Sequence, residues 1–276
     1  MSMDIKIGAV AWGLPGGGAF APSVAHEANL NGIQLEMGTY ENGYPLTQSE
    51  VIRGYNDAAT QYNLEYPSIV LNDVMYHPYI YGKDTPDGKI AYDQIPLVLE
   101  AAEKLSIDRV MIPNFELNLI TEKEHVIHTI DYLRFACELA RKKDILILTE
   151  TGLDASEQKE MMKEVNAPNL KVFFDTQNYK FNHNMDQCEQ LNALYELMDD
   201  QIHTKDGINA PGEMLLGNGD TDFFEQMQIL KDRKFSGWII IENYYNLMPL
   251  RDEAPNGNQM DLLQIDIATV KRCLSM

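Results

Sequence analysis

Short runs of apolar, often β-branched residues alternate along this chain with longer segments whose apolar positions recur every three or four residues. The first kind reads as strand buried on both faces, the second as amphipathic helix. Strand runs fall at 5–10, 32–36, 64–71, 109–112, 145–150, 170–175, 201–205 and 238–242. Helical patterns follow at 23–28, 49–62, 92–105, 121–143, 156–165, 186–198, from Asp222, and at 262–274. Thr121 with Glu124, and Asp222 with Glu225, have capping-box spacing. Pro113 is expected to stop the fourth strand, and Pro86-Asp87-Gly88 to turn a loop before the third long helix. Eight strand–helix units closing on a terminal helix predict the α/β class. The specific expectation is one parallel eight-stranded (β/α)8 TIM barrel, a single domain over 1–276, in preference to a doubly wound open sheet.

Composition narrows the partners. The 45% hydrophobic and 23% charged residues are ordinary for a globular chain, but the net charge of −20 repels nucleic acid and anionic membrane. The dense basic run Arg141-Lys142-Lys143 closes a helical pattern, where cations suit the dipole. Cys137, Cys188 and Cys273 are odd in number and far apart, which predicts reduced thiols and a cytoplasmic protein. Met1-Ser2-Met3 leads straight into a strand without a signal-peptide pattern, and no apolar run approaches the ~20 residues that span a bilayer. A small molecule is the expected partner.

In such a barrel, chemistry sits at the C-terminal strand ends. Those ends carry Glu36, Asn72, Asn114, Glu150, Asp175, His203 and Glu242. Any single carboxylate there could be a loop cap or an ion pair, and His203 alone could be a buried structural histidine. Four candidates on consecutive strands, the fifth to the eighth, are another matter. Three carboxylates crowded together repel unless a cation lies between them. With one imidazole added, the set suits Mn2+, Mg2+ or a similar divalent ion and not a soft thiolate metal.

Several runs carry a resemblance: Ile147–Glu150, Phe173–Asn178, Ile202-His203-Thr204-Lys205-Asp206, Leu216–Phe223 and Ile240–Glu242. Together the chain resembles the xylose isomerase-like superfamily of sugar phosphate isomerases and epimerases. The His-x-Lys-Asp segment followed by Leu-Gly-x-Gly-x-x-Asp-Phe is the most specific part. The resemblance implies one divalent metal held by Glu150, Asp175, His203 and Glu242, with Mn2+ foremost and Mg2+, Co2+ or Zn2+ as alternatives. It implies that Glu150 and Glu242 are also catalytic, passing a proton across a metal-stabilised enediolate of a small ketose or related α-hydroxy carbonyl compound. It further implies a homo-oligomer, a dimer or tetramer. Many relatives have a histidine where this chain has Asn178, which can hydrogen-bond a hydroxyl but cannot shuttle a proton. The extra metal-ligating histidines of related DNA-cleaving barrels have no counterpart at Ile112-Pro113-Asn114 or at 217–222.

Other features compete or assist. Gly16-x-Gly18-x-x-Ala21, with Glu36 further on, fits a dinucleotide fingerprint and leaves an NAD-dependent oxidoreductase as an alternative. The flanking Pro15 and Pro22 argue instead for a flexible rim loop. A dehydratase of a keto-polyol, or a non-catalytic sugar-binding barrel, would use the same metal site. Trp12 could stack on a sugar face or simply pack. Glu36, His77, Asn178 and Lys205 are candidate substrate contacts, with a loop hydrogen bond the alternative for His77 and a salt bridge to Asp206 that for Lys205. His26, His125 and His128 fall on helical patterns as solvated side chains, while His183 could reach the mouth. The polar stretch 243–260 has the length of a lid, and few basic rim residues point to a non-phosphorylated substrate.

Overall fold

The computed structural model describes residues 4–275; Met1–Met3, where direct entry into the first strand was expected, and Met276 lie outside the described residues. Eight parallel strands are hydrogen-bonded in sequence order, and the eighth pairs back with the first to close a barrel. They are β1 (Ile5–Val10), β2 (Gly32–Glu36), β3 (Ile69–Val70), β4 (Arg109–Asn114), β5 (Leu146–Thr151), β6 (Leu170–Asp175), β7 (Met198–Thr204) and β8 (Gly237–Ile241). The helices are α1 (Ala21–Glu27), α2 (Ser49–Tyr62), α3 (Pro86–Leu105), α4 (Lys123–Arg141), α5 (Ala155–Val165), α6 (Asn178–His183), α7 (Gln187–Leu194), α8 (Phe223–Asp232), α9 (Leu250–Glu253) and α10 (Gln259–Leu274). This is the expected TIM barrel. No helix among the described residues is long and apolar enough to cross a membrane.

The chain divides into two compact units. One comprises the segment ending at Gln34, Ala58–Glu65 and everything from Phe174; the other comprises Leu35–Asp57 and Tyr66–Phe173. In the first unit β8 lies between β1 and β7, with Ile239 in register with both Ile7 and Ile202. Ile239, Ile240 and Ile241 are buried, and each such side chain contributes about 1.5–3 kcal/mol. Next to them the Trp238 ring fills the space over Gly32. A Cβ there would meet that ring at 2.9 Å and the Glu65 carbonyl oxygen at 2.0 Å, so only glycine fits. In the second unit β4 and β5 pair from Arg109↔Leu146 to Asn114↔Thr151. There Tyr79 stacks on Tyr132 at 3.8 Å, and the Tyr132 hydroxyl donates to the Ala91 carbonyl at 3.0 Å.

Boundaries depart from expectation where local chemistry overrides the hydrophobic pattern. The strand expected over 64–71 shrinks to Ile69–Val70, because Pro67 has no N–H for the ladder; Glu65 keeps one isolated bridge to Gly32. Pro113 does not stop β4, which runs to Asn114. The expected loop at Pro86-Asp87-Gly88 is the first turn of α3. Proline suits that first turn, and Thr85 caps it by accepting from the Gly88 N–H at 3.0 Å. Neither expected capping box forms. The Thr121 N–H donates to His125 Nδ1 at 3.3 Å and α4 starts only at Lys123; Asp222 sits at a left-handed φ of 56° without a side-chain cap. A capping box does form at α5, from Asp154 and Glu157. His125, expected to be solvated, is buried. After the first-loop glycines comes a 3-10 turn at Gly18–Phe20, and α1 begins only at Ala21. Cys137 is buried, and none of the three cysteines is in a disulfide.

Candidate active site

The first unit assembles a buried cluster of charged groups from strand ends. His203 is the penultimate residue of β7, Lys205 follows that strand directly, Asp175 ends β6 and Glu242 follows β8. All four are buried. His203 Nδ1 lies 3.1 Å from Glu242 Oε2 and 4.0 Å from Asp175 Oδ2. Lys205 Nζ lies 2.6 Å from Glu242 Oε2 and 3.2 Å from Asp175 Oδ2. The other imidazole nitrogen, Nε2, is 2.7 Å from the Gln34 side-chain oxygen on β2. Trp12 meets the His203 ring edge to face, with centroids 6.4 Å apart.

Local structure fixes these side chains. Asp175 Oδ1 accepts from the backbone N–H groups of Gln177 and Asn178, both at 2.7 Å, at the start of α6. Its carboxylate is thereby turned so that Oδ2 faces Lys205 and His203. Thr176 locks the ends of β6 and β7 together: its hydroxyl donates to the Lys205 carbonyl at 2.8 Å and accepts the Lys205 N–H at 3.0 Å. Asn178 is buried, with its own N–H committed to Asp175.

The electrostatics differ between the two carboxylates. Burial alone would push Glu242 up, but the charges of His203 and Lys205 and the hydrogen bonds from both hold it well below the usual range. Asp175 is raised. Burial dominates there and the nearby Glu242 charge adds to it, against the opposing pull of Lys205 and His203. Of the two, Glu242 is the more firmly held in its ionised form. Tyr244 is raised by the Glu242 charge and by burial.

Behind the cluster, Asp206 is structural. Its carboxylate accepts the N–H groups of Gly207, Gly217 and Gly219 at 3.0, 2.8 and 3.0 Å, and the Thr221 hydroxyl at 2.9 Å. A Cβ at Gly219 would meet Asp206 Oδ1 at 2.0 Å, which accounts for the second glycine of the Leu-Gly-x-Gly motif. Lys205 makes ion pairs with Glu242 and Asp175, while these donors occupy both Asp206 oxygens. Asn243 continues the buttress. Its Oδ1 accepts the Asp206 N–H at 3.1 Å, and its amide donates at 2.7 Å to Asp266 on α10. Asp266 also accepts from Tyr245 OH at 2.6 Å and Leu216 N–H at 2.8 Å. Sequence reasoning missed Gln34, Thr176 and Asp266. Only Gln34 carried a signal, a polar residue between Ile33 and Leu35 in an apolar strand.

The second unit holds three further candidates. Glu150 is buried near the end of β5. Glu36 is exposed at the end of β2, where Asn72 Nδ2 donates to it at 3.5 Å. His77 lies between two carboxylates, with Nε2 3.0 Å from Glu41 and Nδ1 3.0 Å from Asp87. His183, at the end of α6 in the first unit, is exposed.

Fold and site together define a class, a (β/α)8 barrel that mounts ionisable groups on its strand ends. Residues 22–264 match the family described as xylose isomerase-like TIM barrel, and the chain belongs to that family. It is 26% identical over 221 residues to a 2-epi-5-epi-valiolone 7-phosphate 2-epimerase of Actinoplanes sp., covering 79% of this chain and 78% of that protein. Among solved structures it is similar to a D-allulose 3-epimerase from Methylomonas sp. in complex with D-allulose, with a TM-score of 0.74, 16% identity and 99% of each chain covered. It is similar as well to the D-psicose 3-epimerase with D-tagatose from Clostridium cellulolyticum H10, with a TM-score of 0.77, 13% identity, and 98% of this chain and 99% of that one covered. At such identities the structural likeness shows the fold.

Proposed function

We propose that the protein is a divalent-metal-dependent isomerase or epimerase of a small ketose or related α-hydroxy carbonyl compound, working as one barrel domain. The observation that carries this is the buried cluster of Asp175, His203 and Glu242 around the Lys205 ammonium. The donor chemistry suits a hard-to-borderline cation. Glu150, Asp175 and His203 are groups that could each offer one ligand atom, and the buried Asp175 Oδ2 already has a cation beside it, the Lys205 ammonium at 3.2 Å. Glu150, Asp175, His203 and Glu242 would hold the ion, Mn2+ by preference.

When bound, such an ion supplies Lewis acidity to a carbonyl oxygen and its neighbouring hydroxyl, easing loss of a proton from the carbon between them. Glu150 and Glu242 move that proton, one removing it and the other returning it. His203 and Lys205 keep Glu242 ionised, the form a cation ligand or proton acceptor needs, while they weaken it as a base; a cation or substrate that draws Lys205 away would restore its basicity. Lys205 steadies both carboxylates and contacts a substrate oxygen. Trp12 offers a ring to the sugar face, and Asn178 hydrogen-bonds a hydroxyl, with Glu36 and His77 contributing polar contacts. The relatives support this class of reaction, since the Actinoplanes protein is an epimerase, as are the Methylomonas and Clostridium proteins named above. The net charge of −20 favours an unphosphorylated substrate. A cytoplasmic dimer or tetramer completes the proposal.

The test incubates Mn2+-loaded protein with a panel of ketoses in D2O and follows carbon-bound protons by NMR. Exchange at a carbon beside the carbonyl, with formation of an epimer or isomer, is expected. Loss of water from the substrate would redirect the proposal to a dehydratase, and absence of exchange with every ketose would overturn it.

A further inference from the structure

We propose that Gln34 is the positioning residue that prepares His203 for metal binding: it holds the Nε2 proton, so that Nδ1 is the nitrogen that gives up its proton, and its hydrogen bond to Glu242, to take the cation. This inference rests on the metal-dependent function proposed above. Gln34 is fully buried on β2 between Ile33 and Leu35, a place where an amide needs a partner. Its side-chain oxygen lies 2.7 Å from His203 Nε2. A carbonyl oxygen only accepts, so the shared proton belongs to the imidazole. Nδ1 is then the nitrogen that faces Glu242 at 3.1 Å and Asp175 at 4.0 Å.

The backbone holds the amide in place. Val10 is in register with Gln34, and the Ala11 N–H donates to the Gln34 carbonyl at 3.0 Å. Trp12, packed edge to face on the imidazole, limits its rotation. Metal-ligating histidines commonly donate their other N–H to a carboxylate or carbonyl, which fixes tautomer and ring orientation. An amide does this here without adding negative charge to a site that already holds Asp175 and Glu242.

Two variants and one spectrum test it. Gln34→Met keeps the length and removes the acceptor, and Gln34→Glu restores an acceptor. Titration calorimetry with Mn2+ is expected to show a loss of about 10–100-fold in affinity for Q34M and recovery to within a few-fold of wild type for Q34E. Circular dichroism confirms that each is folded. In histidine-15N-labelled wild type, long-range 1H–15N spectra are expected to show His203 Nε2 protonated with and without Zn2+, and Nδ1 shifted by the metal. Folded Q34M binding Mn2+ as wild type does, Q34E as weak as Q34M, or an unprotonated Nε2 would each overturn the inference. Should Q34M not fold, the wild-type spectrum decides. If wild type binds neither ion, the metal-dependent function falls, and the spectrum without metal still shows whether Nε2 carries the proton.

Discussion

His203 and His77 each sit between carboxylates, and they sit there for different reasons. His203 stands on a strand, and Asp175, Lys205 and Glu242 are at or beside strand ends, all buried. His77 lies in the loop after β3 and joins Glu41, whose side chain is 65% exposed, to Asp87 in the first turn of α3. Glu41, Asp73 and His77 also bring possible ligand atoms within 4.8 Å of one another. There, however, both Asp73 oxygens are already in use, one by the Tyr40 N–H and one by Tyr44 OH, each at 3.1 Å. Water screens the His77 fastening, so it ties loops together at little electrostatic expense. In the His203 cluster solvent screens nothing, and each charge depends on its neighbours. Both clusters set a histidine between an aspartate and a glutamate, and burial, with the added Lys205, decides what the His203 cluster can do.

That contrast can be broken most forcefully at Glu242. Glu242→Gln is expected to lower turnover by at least about 10²–10⁴-fold, because it removes a proton-transfer group and a ligand together. Steady-state kinetics on the substrate found in D2O checks this, and a variant that lost affinity alone would point to a binding protein. Lys205→Met comes next. It leaves Asp175 and Glu242 buried without their ammonium, an expected loss of about 3–5 kcal/mol in urea melts without metal. Added Mn2+ should restore more stability to K205M than to wild type, and equal restoration would separate the lysine from the cation site.

Asp266 sharpens the comparison from another side. It is buried like Asp175, yet its partners are neutral donors, and burial pushes its carboxyl up to about 6. The folded protein therefore keeps a proton that the unfolded chain releases near pH 4. Stability falls as pH rises between those values and levels above them. The expected difference between wild type and D266N changes by up to about 3 kcal/mol across that window, read from urea melts at pH 4 and 7. His77→Gln should have the smallest effect. Burial lowers the His77 pKa, but the hydrogen bonds its ring donates to Asp87 and Glu41 outweigh it and raise the value. The contribution is thus present below the ordinary histidine pKa and lost as pH rises through the folded one. Thermal melts should show a small loss at pH 6 that vanishes at pH 9 and in about 1 M salt, with Mn2+ affinity unchanged; a raised KM in the same variant would support a substrate contact.

Much of this was legible in the chain. Parallel strands covered on both faces leave nearly continuous apolar runs, so Ile239-Ile240-Ile241 announces itself, and a polar residue closing such a run, as at Asp175 or Glu242, stands out. What was hidden lies in contacts distant in sequence. Gln34 and His203 are 169 residues apart, and Leu216 and Asp266 are 50 apart. The Leu-Gly-x-Gly motif was visible as a pattern, but its purpose, backbone N–H groups closing on Asp206, needed coordinates. Turn chemistry misled in both directions. Pro86-Asp87-Gly88 opens a helix although its composition suits a loop, and Thr121 spends its N–H on His125 instead of capping.

The most direct measurement is anomalous diffraction at the manganese edge from crystals grown with Mn2+. A single strong peak is expected, bound by Glu150, Asp175, His203 Nδ1 and Glu242, with Nε2 still on Gln34. A peak at Glu41, Asp73 and His77 instead, or none at His203, would contradict this assignment.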